Sequence, residues 1–526
     1  MESLRRLVRV PDLRRWDHVV VAAATVVLAW LFWRNALLAS RVVDGTRYFL
    51  LDDDMMISMR YGRNLAEGHG LVWNPGERVE GYTNFLWTLI MAGVHLLPIP
   101  DALTSLFVKA ISFGLLAGTI HLGCRLVRLL APGSLVATPV FATCMVTCLD
   151  VLHWSVWGFE TTLLGFLVIA FLVCVFEGER IAVGYALLSL VPLVRSDALH
   201  VFVGCALVAI GLTRDRDRTL RALAAALVPF AAHLLFRRAY YGEWLPNTYY
   251  LKVDGLDGRY VRGFAYARAF LLRYPVVLTL AAAGAGAILR ADRRGIAFYA
   301  LVLATLSYAV TTGGDMFGNF RFFAHVMPVV FVFAAASVVR LARGWIGVLA
   351  LGSVVLLVTV PLVRPLGQLV FLDANGDPYE QIHVAMLVRK NALPESRLAV
   401  IPAGIVPYFT RMRSVDVLGK SDKHVARLRP FPGSMVGHGK LDPAHSLTPP
   451  PDLVISCRPH TWVAALATDT QTTDVVLSFL AASAFQRTYL PYPIDEAFLA
   501  GRTAIYTHPG SPEAARRRWE PVEIRP

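Results

Sequence analysis

The chain of 526 residues is 56% hydrophobic and 17% charged, with a mean hydropathy of +0.52. A soluble protein does not need this much apolar sequence to build its core, so a large part of the chain is expected to face lipid. The net charge of +13 does not indicate nucleic-acid binding, because the arginines cluster at the ends of apolar runs, where they set membrane topology. Most of the cysteines lie inside apolar segments, so neither a disulfide framework nor a zinc site is predicted.

Apolar runs that approach the roughly 20 residues of a membrane-spanning helix recur up to residue 363, and we predict about eleven spans. They are 17–39, 103–124, 135–153, 160–176, 181–194, 198–212, 220–236, 268–289, 296–311, 322–340 and 345–363. The first run is longer than the apolar core of a signal peptide, so we interpret it as an uncleaved span. The runs 181–194 and 198–212 are short, so a helical hairpin that does not cross the whole bilayer remains an alternative.

Arginine placement predicts the orientation of these spans. A basic N-terminus precedes the first span, so the N-terminus is expected in the cytoplasm and the first loop, 40–102, outside. The stretch 85–97 is apolar but too short for a span, and we interpret it as a re-entrant or interfacial helix of that loop. The groups that then fall on the cytoplasmic side are Arg5, Arg6, Arg9, Arg14, Arg15, Arg125, Arg128, Arg214, Arg216, Arg218, Arg221, Arg290, Arg293, Arg294, Arg340 and Arg343.

After residue 363 the chain becomes mixed and polar. The short apolar runs RLAVIPA, SVDVL and PDLVIS predict strands, and the stretch 379–391 predicts a helix. We therefore predict an α-helical polytopic transmembrane domain over 1–363 and a soluble α/β domain over 364–526, with residues 510–526 frayed. An odd number of spans places this second domain outside the cytoplasm.

The first outer loop begins with three consecutive acids, Asp52, Asp53 and Asp54, ahead of a helical pattern. Asp53 shares a helical face with Arg60, and Asp54 shares one with Tyr61, so acids and cations are expected side by side. The structural alternative is that the acids cap the helix. One acid is enough for a cap, so the run of three also indicates a functional site.

Six segments, taken in order, resemble membrane-embedded glycosyltransferases of the GT-C fold that use polyprenyl-phosphate sugars. They are DDMMISMRYGRNLAEGHGLVWNPGERVEGYTNFLW (53–87), VWGFETTLL (156–164), PLVRSDAL (192–199), YYGEWLPNTYYLK (240–252), GGDMFGNFRFF (313–323) and VPYFTRMRSVDVLGKSD (406–422). Within that group the chain most resembles the mycobacterial-type terminal β-(1→2)-arabinofuranosyltransferases. The resemblance implies decaprenyl-phospho-arabinofuranose as donor and the non-reducing end of cell-wall arabinan, in arabinogalactan or lipoarabinomannan, as acceptor.

The resemblance also implies which acids carry the chemistry. The catalytic acidic pair of the family maps to Asp53 and Asp54, with Asp52 as an addition to it. The pair is similar to the Asp-Glu pair of protein mannosyltransferases, in which the first acid is the base, so Asp53 is expected to take the proton of the acceptor hydroxyl and Asp54 is the second choice. A retaining route, in which a carboxylate attacks the sugar, stays open.

A donor of this kind carries a phosphate that cations in outer segments are expected to bind. The candidates are Arg60, Arg63, Arg195, Lys252 and Arg321, and supporting polar roles are assigned to Tyr61, Glu160, Asp197, Asn247, Asp315 and His325. Each cation has the alternative of snorkelling or binding lipid headgroups, and Asp197 has the alternative of pairing structurally with Arg195. No cofactor or metal-ligand spacing is predicted, although a requirement for a divalent cation stays open.

Other functions remain as alternatives. The sugar could be another one, such as mannose, passed to a protein or glycan. A transporter of lipid-linked sugars and a structural membrane subunit also remain, but a transporter is expected to carry charges near the middle of its spans and a repeat that this sequence lacks. The expected partners are a decaprenyl-phosphate-linked donor, a polysaccharide acceptor and the bilayer, in a multi-pass protein of the plasma (inner) membrane.

Overall fold

The computed structural model describes residues 14–178, 180–253, 258–341, 346–347, 349, 353, 378–430, 436–456, 490–491, 504–507 and 524–525. The chain divides into two compact units. The first, which we call the helical unit, takes Met1–Asn35, Lys109–Phe236 and Gly258–Leu369. The second, the α/β unit, takes Ala36–Val108, Arg237–Asp257 and Val370–Pro526.

The described helices up to residue 241 are α1 Arg15–Leu38, α2 Asp53–Ala66, α3 Phe85–His95, α4 Asp101–Leu130, α5 Ala137–Thr147, α6 Leu149–Val156, α7 Thr161–Glu177, α8 Ile181–Val194, α9 Leu199–Leu212, α10 Arg216–Ala226 and α11 Val228–Tyr241. Those that follow are α12 Asn247–Lys252, α13 Arg259–Arg273, α14 Pro275–Ala291, α15 Ile296–Thr312, α16 Arg321–Ala324, α17 Met327–Leu341, α18 Pro378–Asn391, α19 Ile405–Thr410, α20 Lys423–Ala426 and α21 Pro443–Ser446. The described strands are β1 Ser40–Val43, β2 Thr46–Phe49, β3 Leu398–Val400, β4 Ser414–Asp416, β5 Leu453–Ser456, β6 Leu490–Pro491, β7 Ala504–Thr507 and β8 Ile524–Arg525.

Four helical segments in the described part of the chain are long and apolar enough to cross a membrane. They are Arg15–Leu38, Asp101–Leu130, Arg216–Tyr241 and Arg293–Thr312. The number rises to six if two bent helix pairs, α5 with α6 and α13 with α14, each count as one span. Shorter apolar helices occupy most of the other predicted spans, so the multi-pass character is confirmed and the count of eleven stays a prediction.

Two predicted spans differ from the structure in shape. The run 135–153 is broken at Cys148, where α5 and α6 meet at 55°. The run 268–289 is not one helix, because α13 ends at Arg273 and α14 begins at Pro275 after a bend of 84°. Proline has no N–H for the preceding turn and disfavours helical geometry in the residue before it, so it starts a new helix here.

Short helices account for two other predictions. The helices α8 and α9 have 14 residues each, a length of about 21 Å that is less than the roughly 30 Å of hydrocarbon. This length favours the predicted alternative of a hairpin. The stretch 85–97 forms α3 with 11 residues, too short to span. The predicted span 345–363, apart from 346, 347, 349 and 353, lies outside the described residues, as do Arg5, Arg6, Arg9 and Arg343.

Helices of the helical unit approach closely where small residues face each other. Helix α14 packs against α17, α9 against α15, and α7 against α8. A Cβ at Gly284 of α14 would come 2.5 Å from the Cβ of Ser337 on α17. Small residues at such positions let helix backbones pack tightly where lipid removes the hydrophobic drive for association.

In the α/β unit, the predicted tail elements are present as β3, β4, β5 and α18. The five-stranded sheet has the order β4-β3-β5-β7-β6, with β3 parallel to β4 and β5 and the remaining pairs antiparallel. A second sheet has the order β2-β1-β8, so residues 524–525 are paired rather than frayed. The remainder of 510–526 and the predicted boundary at 363 lie outside the described residues, so that boundary stays a prediction.

Adjacent parallel strands place two loops at one edge of the larger sheet. Strand β3 leads into the segment that begins α19, and β4 leads into the loop 416–422. The carboxyl ends of neighbouring parallel strands commonly form ligand sites. The N-terminus of α2, which carries the acidic run, belongs to this unit and contacts both segments.

Candidate active site

The three acids that open the first outer loop have three different sets of partners. Asp52 is the N-cap of α2, and its side chain accepts a hydrogen bond from the backbone N–H of Asp54 at 2.9 Å. A cap of this kind satisfies a free N–H and meets the positive end of the helix dipole. Capping therefore explains Asp52 and leaves the side chains of Asp53 and Asp54 for other contacts.

Asp53 lies against the turn that follows strand β3. Its carboxylate accepts hydrogen bonds from the backbone N–H of Gly404, at 3.1 and 3.2 Å, and of Ile405, at 2.7 Å. The approach requires glycine, because a Cβ at position 404 would lie 1.8 Å from the carbonyl oxygen of Asp53. Burial raises the pKa of Asp53 to about 6, against the opposing charge of Lys420. A carboxylate with a pKa near neutrality is suited to accept a proton.

Asp54 forms an ion pair with Lys420, which lies in the loop after strand β4. The lysine ammonium donates a hydrogen bond to Oδ1 of Asp54. Burial acts to lower the pKa of Lys420, but the charges of Asp54 and Asp53 outweigh burial and raise it above the ordinary value. The lysine is therefore a permanent positive charge beside the acidic pair.

The loop 416–422 is held from two sides, which determines where Lys420 stands. Asp416 is 2% exposed and its carboxylate accepts hydrogen bonds from three backbone N–H groups of the loop at 2.6 to 3.2 Å. Asn247 of α12 donates its side-chain amide to three carbonyl oxygens of the same loop at 2.9 to 3.0 Å. Asn247, predicted as a supporting polar residue, thus contacts the backbone that carries the lysine.

Arg60 and Arg63, predicted to bind the donor phosphate, have protein partners instead. Arg60 is 2% exposed and donates to Asn74 and to three backbone carbonyl oxygens at 2.5 to 2.9 Å. Arg63 is 3% exposed and donates to the carbonyl oxygen of Tyr408 at 2.5 Å. The hydroxyl of Tyr61, between them, donates to a backbone carbonyl at 2.8 Å. This geometry favours a structural role for both arginines. Their binding to the donor phosphate stays a prediction.

Lys252, at the end of α12, lies beside the segment 436–440. A Cβ at Gly437 would come 3.1 Å from Cε of Lys252, so this backbone runs along the lysine stem. The next residue is His438, whose pKa is lowered to about 4 by burial and by the charges of Lys420 and Lys252, while Asp54 acts in the opposite direction. Lys252 and His438 therefore share the electrostatic environment of the Asp54–Lys420 pair.

Glu160, Arg195 and Asp197 form a closed ion-pair network in the helical unit. The guanidinium of Arg195 donates to Glu160 at 2.7 Å and to both oxygens of Asp197 at 2.8 Å. The hydroxyl of Tyr308 donates to Asp197 as well. Asp197 is thus the structural partner of Arg195, as the alternative from sequence proposed, and phosphate binding by Arg195 stays a prediction.

Asp315, Arg321 and His325 also lie in the helical unit. The guanidinium of Arg321 pairs with Asp315, with a hydrogen bond of 3.0 Å, and lies 4.8 Å from the centre of the Phe317 ring. His325 is 4% exposed and meets the ring of His200 edge-on at 5.7 Å. Like Arg195, Arg321 already has a carboxylate partner.

Metal binding is a further candidate role for these acidic and histidine side chains. In the stretches that the structure describes, no group of three or more His, Cys, Asp or Glu side chains is arranged to hold a metal ion. The positive charge beside Asp53 and Asp54 is supplied by Lys420. A requirement for a divalent cation stays open.

Two curated relatives share the name terminal β-(1→2)-arabinofuranosyltransferase. The protein from Corynebacterium glutamicum is 26% identical over 344 residues, 57% of this chain and 50% of its own length. The protein from Mycobacterium tuberculosis is 26% identical over 388 residues, 69% of this chain and 57% of its own length. The chain thus spans about half the length of the curated relatives it matches. Residues 374–492 match a family model described as a domain of unknown function (DUF8728).

Solved structures of GT-C enzymes share the fold across nearly the whole chain. ArnT from Cupriavidus metallidurans bound to undecaprenyl phosphate superposes with a TM-score of 0.56 at 12% identity, covering 93% of this chain and 97% of that one. The oligosaccharyltransferase of Archaeoglobus fulgidus in the apo form has a TM-score of 0.52 at 10% identity, covering 88% and 72%. The chain has the GT-C fold. The mycobacterial arabinofuranosyltransferase AftD is a further match, with a TM-score of 0.50 at 12% identity, covering 95% and 40%.

These matches confirm the resemblance drawn from the six sequence segments, both in fold and in the named relatives. What sequence reasoning missed within this GT-C chain are the tail residues that meet the acidic pair. Lys420 and Asp416 lie in the segment 406–422, which carries part of the family resemblance but in which no site residue is predicted. An aspartate followed by glycine and lysine after a short strand is a signal for a tight, cation-bearing loop, but it does not name the partner.

Proposed function

We propose that this protein is a membrane glycosyltransferase that transfers arabinofuranose from decaprenyl-phospho-arabinofuranose to the non-reducing end of cell-wall arabinan. The single observation that carries the proposal is the cluster of Asp53, Asp54 and Lys420, which joins a carboxylate of raised pKa to a fixed cation. A sugar phosphate needs both, a base for the acceptor and a positive charge for the leaving group. The names of the curated relatives support the choice of sugar.

The proposed reaction uses Asp53 as the base. Among the described residues its Oδ2 accepts one long hydrogen bond, from Gly404 at 3.2 Å, and so retains a lone pair for the acceptor hydroxyl. As Asp53 takes the hydroxyl proton, the hydroxyl oxygen forms a bond to the anomeric carbon. The bond from that carbon to the phosphate oxygen breaks, and the lipid phosphate leaves as an anion. In the alternative retaining route a carboxylate first attacks the anomeric carbon and the lipid phosphate leaves, and the acceptor hydroxyl then attacks the same carbon, releases that carboxylate and gives its proton to a neighbouring acid.

The comparisons support the proposed type of donor lipid, and the charge pattern of the sequence supports the proposed membrane. A relative of the same fold binds undecaprenyl phosphate, which supports a polyprenyl phosphate as the carrier in this chain. The basic ends of the spans support a plasma (inner) membrane protein with a cytoplasmic N-terminus and with residues 364–526 outside. Single cysteines introduced near residues 216 and 292 should be labelled from the cytoplasm and one near 440 from outside. Labelling of position 440 from the cytoplasm would reverse the proposed face.

The deciding experiment is transfer by the purified protein in detergent or nanodiscs. Synthetic decaprenyl-phospho-arabinofuranose and an arabinan oligosaccharide should yield an acceptor heavier by one pentose in mass spectrometry. A parallel reaction with a polyprenyl-phospho-mannose tests the alternative sugar, and transfer of mannose but not arabinofuranose would replace the proposed donor. Transport of the intact donor across the membrane of proteoliposomes, without transfer of either sugar, would favour a transporter.

A further inference from the structure

The Asp54–Lys420 pair joins a lysine whose backbone is held from two sides to an acid in the first turn of α2. The backbone of Lys420 is held by Asp416 through loop N–H groups and by Asn247 through loop carbonyl oxygens. Gly419 reinforces the loop, because its φ is +82° and a Cβ there would lie 2.7 Å from Val425. The loop therefore fixes the backbone of Lys420, and a change of partner involves only the side chains of Lys420 and Asp54.

Asp54 is placed so that it can give up this pair. Asp52 caps the helix and Asp53 contacts the turn at Gly404, so neither of those tasks depends on the Asp54 carboxylate. The side chains of Lys420 and Asp54 are 10% and 18% exposed, so solvent reaches both partners of the pair. A lysine ammonium is a compact charge without a preferred planar partner, so it can exchange one oxyanion for another with little reorganisation.

We propose that Asp54 is an internal counter-ion that occupies Lys420 in the free enzyme and is displaced when the anionic phosphate of a lipid-linked donor binds there. The phosphate offers oxygens of the same charge and hydrogen-bonding type as the carboxylate. The inference rests on the proposed function, which it deepens by naming the phosphate-binding lysine and the acid that competes for it.

Displacement has a consequence for the base. In the free enzyme Asp54 raises the pKa of Asp53 and Lys420 lowers it. Once the phosphate neutralises Lys420, the charge that lowers the pKa of Asp53 is cancelled and the proton affinity of Asp53 increases. Donor binding would thus prepare the base for the acceptor hydroxyl, and the donor would bind before the acceptor.

The test is equilibrium binding of decaprenyl phosphate to the full-length protein in nanodiscs, with uncharged decaprenol as the control lipid. Asp54→Asn should bind decaprenyl phosphate about two- to fivefold more tightly than wild type, the worth of a partly exposed ion pair. Lys420→Met should bind about tenfold or more weakly, because it loses a charge-assisted hydrogen bond. Asp52→Asn, which keeps the cap, serves as the matched control and should bind like wild type.

The double variant Asp54→Asn/Lys420→Met decides between exchange and simple repulsion. It should bind like Lys420→Met, because Asp54 acts through the lysine. Tightening by Asp54→Asn in both backgrounds would mean that the acid only repels the phosphate, and weaker or unchanged binding in the single variant would also overturn the inference. If wild type binds decaprenyl phosphate and Asp54→Asn does not change the affinity, only the exchange is ruled out. If wild type binds no polyprenyl phosphate, the proposed function is ruled out as well. Asp54→Ser repeats the test if Asp54→Asn does not fold.

Discussion

Two clusters of acids and cations, one in each unit, contain similar residue types. They differ in the number of hydrogen bonds that the cation donates to carboxylates. In the α/β unit, the ammonium of Lys420 has Asp54 as its single acceptor among the described residues. In the helical unit, each of the three guanidinium nitrogens of Arg195 donates to a carboxylate of Glu160 or Asp197. Lysine leaves its cluster open to exchange, and the planar fork of arginine closes the other.

This difference distinguishes charged residues that can take part in catalysis from charged residues that stabilise the fold. Ionisable groups near membrane spans often mark functional sites, and the acids of both clusters are predicted as site residues from the sequence for this reason. The cluster in the α/β unit also contains Asp53, a carboxylate of raised pKa whose second oxygen accepts one long hydrogen bond from the described residues. The comparison therefore predicts loss of catalysis from changes in one cluster and loss of stability from changes in the other.

The largest expected effect is on turnover, from Asp53→Asn. Asparagine keeps the shape of the side chain and removes the base, so sugar transfer should fall by about 10² to 10⁴. Binding of decaprenyl phosphate should change little, because Asp53 contacts backbone N–H groups rather than the cation. The measurement is single-turnover transfer to an arabinan oligosaccharide, beside donor binding by the same preparation.

Asp52→Asn is the control for this variant, since asparagine is as good an N-cap as aspartate. Its turnover should stay close to that of wild type. Near-normal transfer by Asp53→Asn would move the chemistry away from the acidic run, and an equal loss in both variants would mean that the helix start, and not the base, had been damaged.

The next effect is on stability, from Arg195→Met. Removing the guanidinium takes away the cation that joins Glu160 and Asp197, and breaking this partly buried network is expected to cost about 1 to 3 kcal/mol. The melting temperature in detergent should fall clearly, while the protein that remains folded should keep the donor affinity of wild type. Lys420→Met is the matched comparison, with weaker donor binding and a smaller fall in melting temperature, because it removes one hydrogen bond to a carboxylate rather than three.

A smaller, graded effect is expected from pH. Burial raises the pKa of Asp53 to about 6, so the base is ionised and active above this pH and becomes protonated as the pH falls through it. Transfer should decline by about tenfold per unit below the midpoint. In Lys420→Met the midpoint should move upward, because the lysine charge opposes the rise. Asp416 also has a pKa raised to about 6 by burial, so the profile of Asp416→Asn shows how much of the decline belongs to the loop.

The acidic run and its helix were predictable because they are local. The cap, the start of α2 and the strands of the tail follow from patterns of a few residues, and all are present. Lys420 could not be assigned to Asp54 because 366 positions separate them and no periodicity links the two segments. Proline at position 275 is a residue type that interrupts helices. The residues on both sides of it are apolar, however, and together they form one long run that predicts a single span.

Arg60 illustrates the limit of assigning a role from charge, and its replacement gives the smallest expected effect. Sequence placed Arg60 on the face of Asp53 and predicted a phosphate contact, but the folded chain surrounds it with carbonyl oxygens from two other segments. Arg60→Lys keeps the charge and loses the planar arrangement of donors, so some of these oxygens lose their partner. We expect a loss of about 1 to 3 kcal/mol in unfolding free energy, with donor affinity unchanged in the folded fraction. Thermal unfolding and decaprenyl phosphate binding, measured on the same samples, distinguish this from a phosphate contact, for which affinity would fall while the melting temperature stayed constant.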